Sequence, residues 1–264
     1  MPPAPPELRI SVGNVASPPH RAIAAVTRRV LEAHGHRVTS IEAPAKQLFG
    51  LQVRGWLDIL VSAWPTAPHA SPSLRTQNSA RVLSPHYHPR QVWAVPPYVP
   101  TSMVRTVADL ARPAVVRHMS GIIAGVEADV GEYSAKVLAE FGLDVLGYSV
   151  VGISEAVLGR WVRQELMDRK WFVVQLLRPH RVGTAHGLRP LEEPEGMLGE
   201  AVAASSVISA EGLEHVHPDA VTCLENLYLG AEGIEEIDAL VATRGFSPLQ
   251  AADRYLSNRP GLLP

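Results

Sequence analysis

The sequence predicts an α/β fold in two lobes with a ligand cleft between them. Three observations predict it. Buried-type strand runs alternate with amphipathic helices, the alternation falls into two blocks, and proline-rich extended stretches join the blocks. The clearest run is WFVVQLL (171–177), apolar except for Gln175 and too short for a membrane span. It stops at Arg178-Pro179, because proline cannot continue a hydrogen-bonded ladder. Arg178, His180, Arg181 and His186 follow in a loop with two glycines. Polar groups at the carboxyl end of a buried strand are where open α/β proteins bind ligands, and a merely basic surface loop is the competing reading.

Taken in order, Leu8–Val12 reads as a strand, and Gly13-Asn14 as a loop before a helix over 20–34 with Ile23, Val26, Val30 and Leu31 on one face. Backbone N–H groups at that helix start suit an anion. Arg37–Ile41 is a strand, 44–54 a short helix and 57–63 a buried strand with Trp64 at its carboxyl end, followed by His69. His86-Tyr87-His88 has the alternation that would aim two imidazoles the same way, but with no third ligand in view no metal is expected. Val92–Val95 is a strand and 95–103 an extended crossing. The second block reads as a helix start at 104–110, a strand at 114–117, a glycine-rich loop 121–133, a helix 134–141, a strand 146–151 and a helix 154–167. Ser154 is a candidate cap for that last helix, and Val157, Leu158, Trp161, Val162 and Leu166 form its core stripe. An apolar strand at 201–208 precedes a helical tail, in which Ser247-Pro248-Leu249-Gln250 is a capping box with proline at the first helical position. The expected boundaries are 7–100 for the first part of lobe 1, 101–202 for lobe 2, and 203–264 for a return to lobe 1 with the C-terminal helices.

Composition narrows the function. With 46% hydrophobic and 19% charged residues and a formal charge of −2, the 264-residue chain is of ordinary globular type. It has no basic stripe for nucleic acid and no run suited to membrane insertion. The single cysteine, Cys223, excludes an internal disulfide and reads as a core residue rather than a nucleophile. No cofactor fingerprint is present. The proline-rich start lacks the basic and apolar regions of a secretory signal, and no early cysteine is placed to carry a lipid, so the expected location is the cytoplasm unless a leader has been removed.

Several stretches resemble one family, the glycine betaine and osmoprotectant substrate-binding proteins of ABC transporters, which have the type II periplasmic-binding-protein fold. SAWPTAPH (62–69) is similar to its S-A-W-x-P-x-x-H stretch, and VPPYVPTSMVRTVADL (95–110) to its crossing into the second lobe. GVEADVGEYSAKVLAEFGLD (125–144) is similar to its glycine-rich loop and helix, RPHRVGTAHGLRPLEEPEG (178–196) to its W-x-P-H-W segment, and SPLQAADRYLSNRP to its closing helix. The resemblance runs over nearly the whole chain and implies a small organic ligand, with an ABC permease as partner if the protein is exported. It also implies a box of tryptophans around a trimethylammonium group, each ring contributing about 0.5–2 kcal/mol by cation–π attraction. Trp64 falls on one box tryptophan, His180 on the histidine donor to the ligand carboxylate, and Gly13-Asn14 on the amide loop.

Two positions depart from the pattern. Leu177 stands where a tryptophan precedes x-P-H, and Val130 where the glycine-rich loop carries an aromatic. Losing two rings forfeits several kcal/mol by the same estimate, about a hundredfold or more in affinity. Tyr133 or Tyr87 is a candidate replacement wall. The expected ligand is therefore more apolar than glycine betaine, with His180, His69 and Arg178 as donors. The alternative is a cytoplasmic enzyme on the same fold performing proton transfer, isomerisation or cyclisation, with His180 or His69 as acid or base and Glu127, Asp129 or Glu155 as partners.

Overall fold

In the computed structural model, residues 9–63, 80–127, 129–193, 196–199, 204–209 and 213–263 are described. The chain divides into two units: unit 1 is Met1–His88 with Val202–Pro264, and unit 2 is Pro89–Ala201.

Unit 1 is built on strands β1 (Arg9–Asn14), β2 (Arg37–Glu42), β3 (Ile59–Ala63) and β4 (Ala80–Tyr87), joined by β10 (Ala204–Ser209) from the returning chain. The order is β2-β1-β3-β10-β4, with β1 parallel to β2 and β3, and β10 antiparallel to β3 and β4. Pro85 is tolerated within a strand because β4 is an edge and its pairing with β10 shifts register around Ser205. Alternation along β1 and β3 sorts side chains to two faces. Ile10, Val12, Ile59 and Val61 join the larger core with helices α1 (Pro18–Ala33), α9 (Gly230–Arg244) and α10 (Pro248–Ser257). Leu60 turns to the other face, where α2 (Ala45–Val53) contributes Leu48. The capping box expected at Ser247 is formed in full, with reciprocal bonds between Ser247 and Gln250.

In unit 2 the sheet order is β7-β6-β8-β5-β9, from β5 (Arg90–Val95), β6 (Met119–Val126), β7 (Ser149–Ile153), β8 (Trp171–Arg178) and the two-residue β9 (Arg189–Pro190). Strands β7, β6 and β8 are parallel, so their carboxyl ends align on one edge, while β5 is antiparallel to β8. Phe172–Leu176 are all buried, because α4 (Glu132–Glu140) covers one face of the sheet and α5 (Glu155–Met167) the other.

Several local expectations need correction. The loop read over 121–133 begins as strand β6; its GIIAGV run is apolar or glycine throughout, including the exposed Ile122, and so carries no polar–apolar alternation to betray it. The strand read at 114–117 is a helical turn, α3 (Pro113–Val116), set by proline in its first turn. The segment 95–103 is not extended: Val99, Met103 and Val104 donate to carbonyls of Pro96 or Pro100, closing turns. The side chain of Arg189 bonds to the carbonyls of Val99 and Val104 and pins these turns to β9. β5, expected within the first lobe, pairs with β8 in unit 2. Val157, expected in the stripe of α5, is exposed, while Leu158 and Val162 are buried.

Candidate functional site

The aligned carboxyl ends of β6, β7 and β8 carry the loops that hold most of the sequence-predicted residues. Gly125 of β6 lies in register with Gly152 of β7 and Gln175 of β8. The chain leaving β6 turns back over this row, with Asp129 N–H and Val130 N–H both donating to the carbonyl of Val126. Val130 lands on the two glycines. A Cβ added at Gly125 would stand 2.6 Å from its Cγ1, and one at Gly152 2.8 Å from its Cγ2. Both methyls therefore face the sheet, and Val130 braces the loop where an exposed wall was expected.

Gln175, fully buried, fixes that loop from below. Its side-chain N–H donates to Asp129 O at 2.8 Å, and its Oε1 accepts from Trp93 Nε1 at 3.1 Å and from the Ser134 hydroxyl. One amide thus ties β5, β8, the 127–131 loop and the start of α4 together. The signal for it was in the sequence as the only polar residue of the 171–177 run, and its role was missed because a lone glutamine has no pattern to match.

His180 follows β8 after the cis Arg178–Pro179 bond. The expected loop here holds a helix, α6 (Arg181–His186), ended by Gly187 in the left-handed region at φ 60°. His180 is its N-cap, and His180 Nδ1 accepts from Val182 N–H at 3.2 Å. With Nδ1 an acceptor, the neutral ring carries its proton on Nε2. Burial pushes the imidazole below its ordinary pKa and the Glu155 carboxylate opposes this, so the neutral donor form is favoured. Glu155, in the first turn of α5 beyond β7, also acts on Asp129: burial raises the Asp129 carboxyl, and Glu155 raises it further. Asp129, Glu155 and His180 thus form one electrostatically linked group.

Leu177 lies on the same face of β8 as Gln175 and is half-buried; Arg178 at the strand end is half-buried too. Glu127 is exposed, its N–H bonded to Ile153 O. Tyr133 is 55% exposed, with its ring against Gly199 and Lys136 Nζ 5.7 Å from the ring centroid.

The other predicted residues fall elsewhere. Gly13 and Asn14 are not in a loop: both belong to β1 and pair with Ile41 and Glu42 of β2. The Asn14 side chain donates to Val15 O, and Gly13 lies against Leu57 and Leu48. The helix start that follows begins Pro18-Pro19, so two of its free N–H donors do not exist, which weakens it as an anion site. Tyr87 is 1% exposed in the core of unit 1 and supplies no wall. His86 is fully buried with both ring nitrogens engaged, by Leu227 O and Ser206 Oγ, whereas His88 is exposed beyond the strand; the pair does not converge. Cys223 packs against the unit 1 core, its thiol raised by burial and by Asp219. Trp64 and His69 lie outside the described residues. Among the described residues no helix is long and apolar enough to cross a membrane.

Comparison with known proteins gives this arrangement its context. The chain is 26% identical over 140 residues to a glycine betaine/carnitine transport binding protein of Listeria monocytogenes, a match spanning 52% of this chain and 46% of that protein. The lactococcal OpuAC structure, closed and complexed with glycine betaine, is 20% identical, covers 97% of each chain and superposes with a TM-score of 0.67. The crystal structure of a glycine betaine/carnitine/choline ABC transporter protein is 14% identical, covers 96% of this chain and 99% of its own, and has a TM-score of 0.72. Structural likeness at these identities is one of fold, the two-lobed α/β fold of substrate-binding proteins. The family model for the substrate-binding domain of ABC-type glycine betaine transport systems matches residues 9–258, and the chain belongs to that family.

Proposed function

We propose that this substrate-binding protein takes a small organic ligand more apolar than glycine betaine, one carrying a carboxylate or carbonyl, and that it delivers the ligand to an ABC permease. The observation that carries the reading is His180: a neutral imidazole with Nε2–H as its donor, at the end of a buried strand beside Arg178 and Leu177. A donor of this kind holds an oxygen acceptor without placing a full charge against an apolar body. Leu177 and Val130 stand where the family resemblance calls for rings, and Val130 is committed to bracing its loop. The enzyme alternative uses the same His180, but a general base needs a free lone pair, and here Nδ1 is occupied while Nε2 carries the proton.

A second reading has its own support. Burial and Glu155 together raise the Asp129 carboxyl, and a cationic head group would relieve both effects. Thermal shift and tryptophan fluorescence against glycine betaine, choline, carnitine and a series of apolar carboxylic acids separate the readings. A true ligand at about 100 times its Kd adds about 2.7 kcal/mol of stability. A response to apolar acids that is lost in His180→Ala supports the proposal, and one to choline or betaine that is lost in Asp129→Asn replaces it with the second reading. Disappearance of a bound compound on incubation would establish turnover.

A further inference from the structure

Wholly within unit 1, and apart from the residues discussed so far, His36, His217 and Asp219 converge. His36 sits between the left-handed turn at Gly35 and β2, its own N–H bonded to Leu31 O. The other two residues lie about 180 positions later, just past the short α7 (Leu213–Val216) at the start of α8 (Pro218–Glu225), with His217 as N-cap and Asp219 in the first turn. The two imidazoles meet edge to face, with centroids 5.1 Å apart at 87°. One nitrogen from each ring and one Asp219 oxygen all lie within 4.8 Å of one another.

His36 Nε2 is the telling atom. Its side chain is 8% exposed, and Nε2 stands 3.1 Å from Asp219 Oδ2, at ion-pair distance but out of line for a well-formed hydrogen bond. A buried polar atom in that condition needs an explanation. Two atoms placed to share a cation have one. Ligands on a tetrahedral Zn²⁺ at about 2.0–2.1 Å stand about 3.3 Å apart, so the His36–Asp219 pair already fits, while the set as a whole, within 4.8 Å, has to close in on binding. His217 is 6% exposed, while the Asp219 side chain is 59% exposed, so three protein ligands close the inner side of such a site and water reaches the outer one.

We infer that His36, His217 and Asp219 form a binding site for a borderline d-block divalent ion, with Zn²⁺ the best fit to two imidazoles and one carboxylate. Magnesium and calcium, which require oxygen-rich shells, are excluded by the same donor set. The ion would staple the chain entering β2 to the returning segment at α8. Unit 1 is assembled from two separate stretches of chain, so this link acts as a long-range cross-brace.

The test is titration of the chelator-treated protein with Zn²⁺, by calorimetry and by competition with a chromogenic chelator, together with thermal unfolding. One equivalent of Zn²⁺ per chain with a rise in Tm is expected, and Mg²⁺ or Ca²⁺ should produce neither. Asp219→Asn, at an exposed position that tolerates the change, should weaken uptake by about tenfold or more while the apo-protein keeps its circular dichroism. His36→Gln should abolish the rise in Tm. Failure to take up one equivalent overturns the site, and so does uptake that Asp219→Asn leaves unchanged, since that would place the ion elsewhere.

Discussion

Each unit buries a polar side chain that ties its sheet to a neighbouring segment, and the two behave differently. His86 in unit 1 and Gln175 in unit 2 are 0% and 1% exposed, and each links strands to a segment that no ladder holds. Around His86, Nδ1–H donates to Leu227 O and Nε2 meets Ser206 Oγ, while the His86 carbonyl accepts from Leu229 N–H; the first and returning stretches of unit 1 are joined there. Gln175 gathers Trp93, Ser134 and Asp129. A histidine makes its seam sensitive to protons and a glutamine does not. The unit that carries the His180 site is therefore organised by a group whose bonding is unchanged by pH.

The largest effect is expected at Gln175. Gln175→Leu keeps the volume but strands the indole N–H, the Ser134 hydroxyl and the Asp129 carbonyl, at a cost of about 3–5 kcal/mol. Denaturant unfolding and the near-ultraviolet signal of Trp93 measure it, and a cost below about 1 kcal/mol would mean water replaces the amide.

His86 comes next. His86→Phe leaves Leu227 O and Ser206 Oγ unpaired and is expected to cost about 2–4 kcal/mol. Burial lowers the pKa of this imidazole, against the opposing pull of the Leu227 bond and Glu225. The unfolded chain therefore binds the proton more readily than the folded one. The contribution of His86 is full above about pH 6.5 and is lost as pH falls toward the folded-state value. Hydrogen exchange of the Leu229 amide, which bonds to the His86 carbonyl, from pH 7.5 down to 5 should show that loss once intrinsic exchange is corrected. His86→Gln should remove the pH dependence at that amide.

Close-contact glycines extend the comparison. A Cβ at Gly152 would stand 2.8 Å from Val130 and 3.1 Å from the Glu127 backbone, whereas one at Gly13 would meet only the side-chain ends of Leu57 and Leu48. Both alanine variants are expected to lose about 1–3 kcal/mol. Only Gly152→Ala should also change ligand affinity, because it displaces the loop of Asp129. Equal affinities in the two variants would detach that loop from the binding site.

The smallest effects are at the capping boxes, Thr106/Asp109 in unit 2 and Ser247/Gln250 in unit 1. Thr106→Ala and Ser247→Ala should each cost about 1 kcal/mol in thermal unfolding. Here the proton sensitivity reverses. Burial raises the Asp109 carboxyl, but bonds from Thr106 and Arg105 outweigh this and hold it below its ordinary value. Its contribution is present above about pH 3.9 and disappears as pH falls through the lower folded value, while the Gln250 box does not titrate.

How much was legible follows from the range of each interaction. Ser247-Pro-Leu-Gln and the strand stopped at Pro179 were read correctly because their causes lie within four residues: a side chain reaching its own helix start, and a ring that cannot donate. The family, and with it the two-lobed α/β fold, was carried by motifs spread along the chain. Strand β6 was misread because its glycines signal a loop and its other residues after Ser120 are all apolar, with Ile123 and Ala124 buried on opposite faces, so the alternation that marks a half-buried strand is missing. Gly13 and Asn14 were placed in a loop because glycine before a helix looks the same in a strand end and a turn; only pairing with β2 distinguishes them.

The sequence by itself determined the periodicities, the caps, the stops and the family, all of which depend on neighbours in the chain or on matched motifs. Only the tertiary structure decided what isolated polar residues do. Gln175 became the tie under the Asp129 loop, His180 a donor through its bond to Val182, and His36 a neighbour of His217 and Asp219. In the Gln175 and His36 groups the partners lie tens to nearly two hundred residues away, and even the local His180–Val182 bond exists only because the chain after Pro179 turns into a helix. A single polar residue has no period, so its meaning is set by what folding brings within about 3 Å of it.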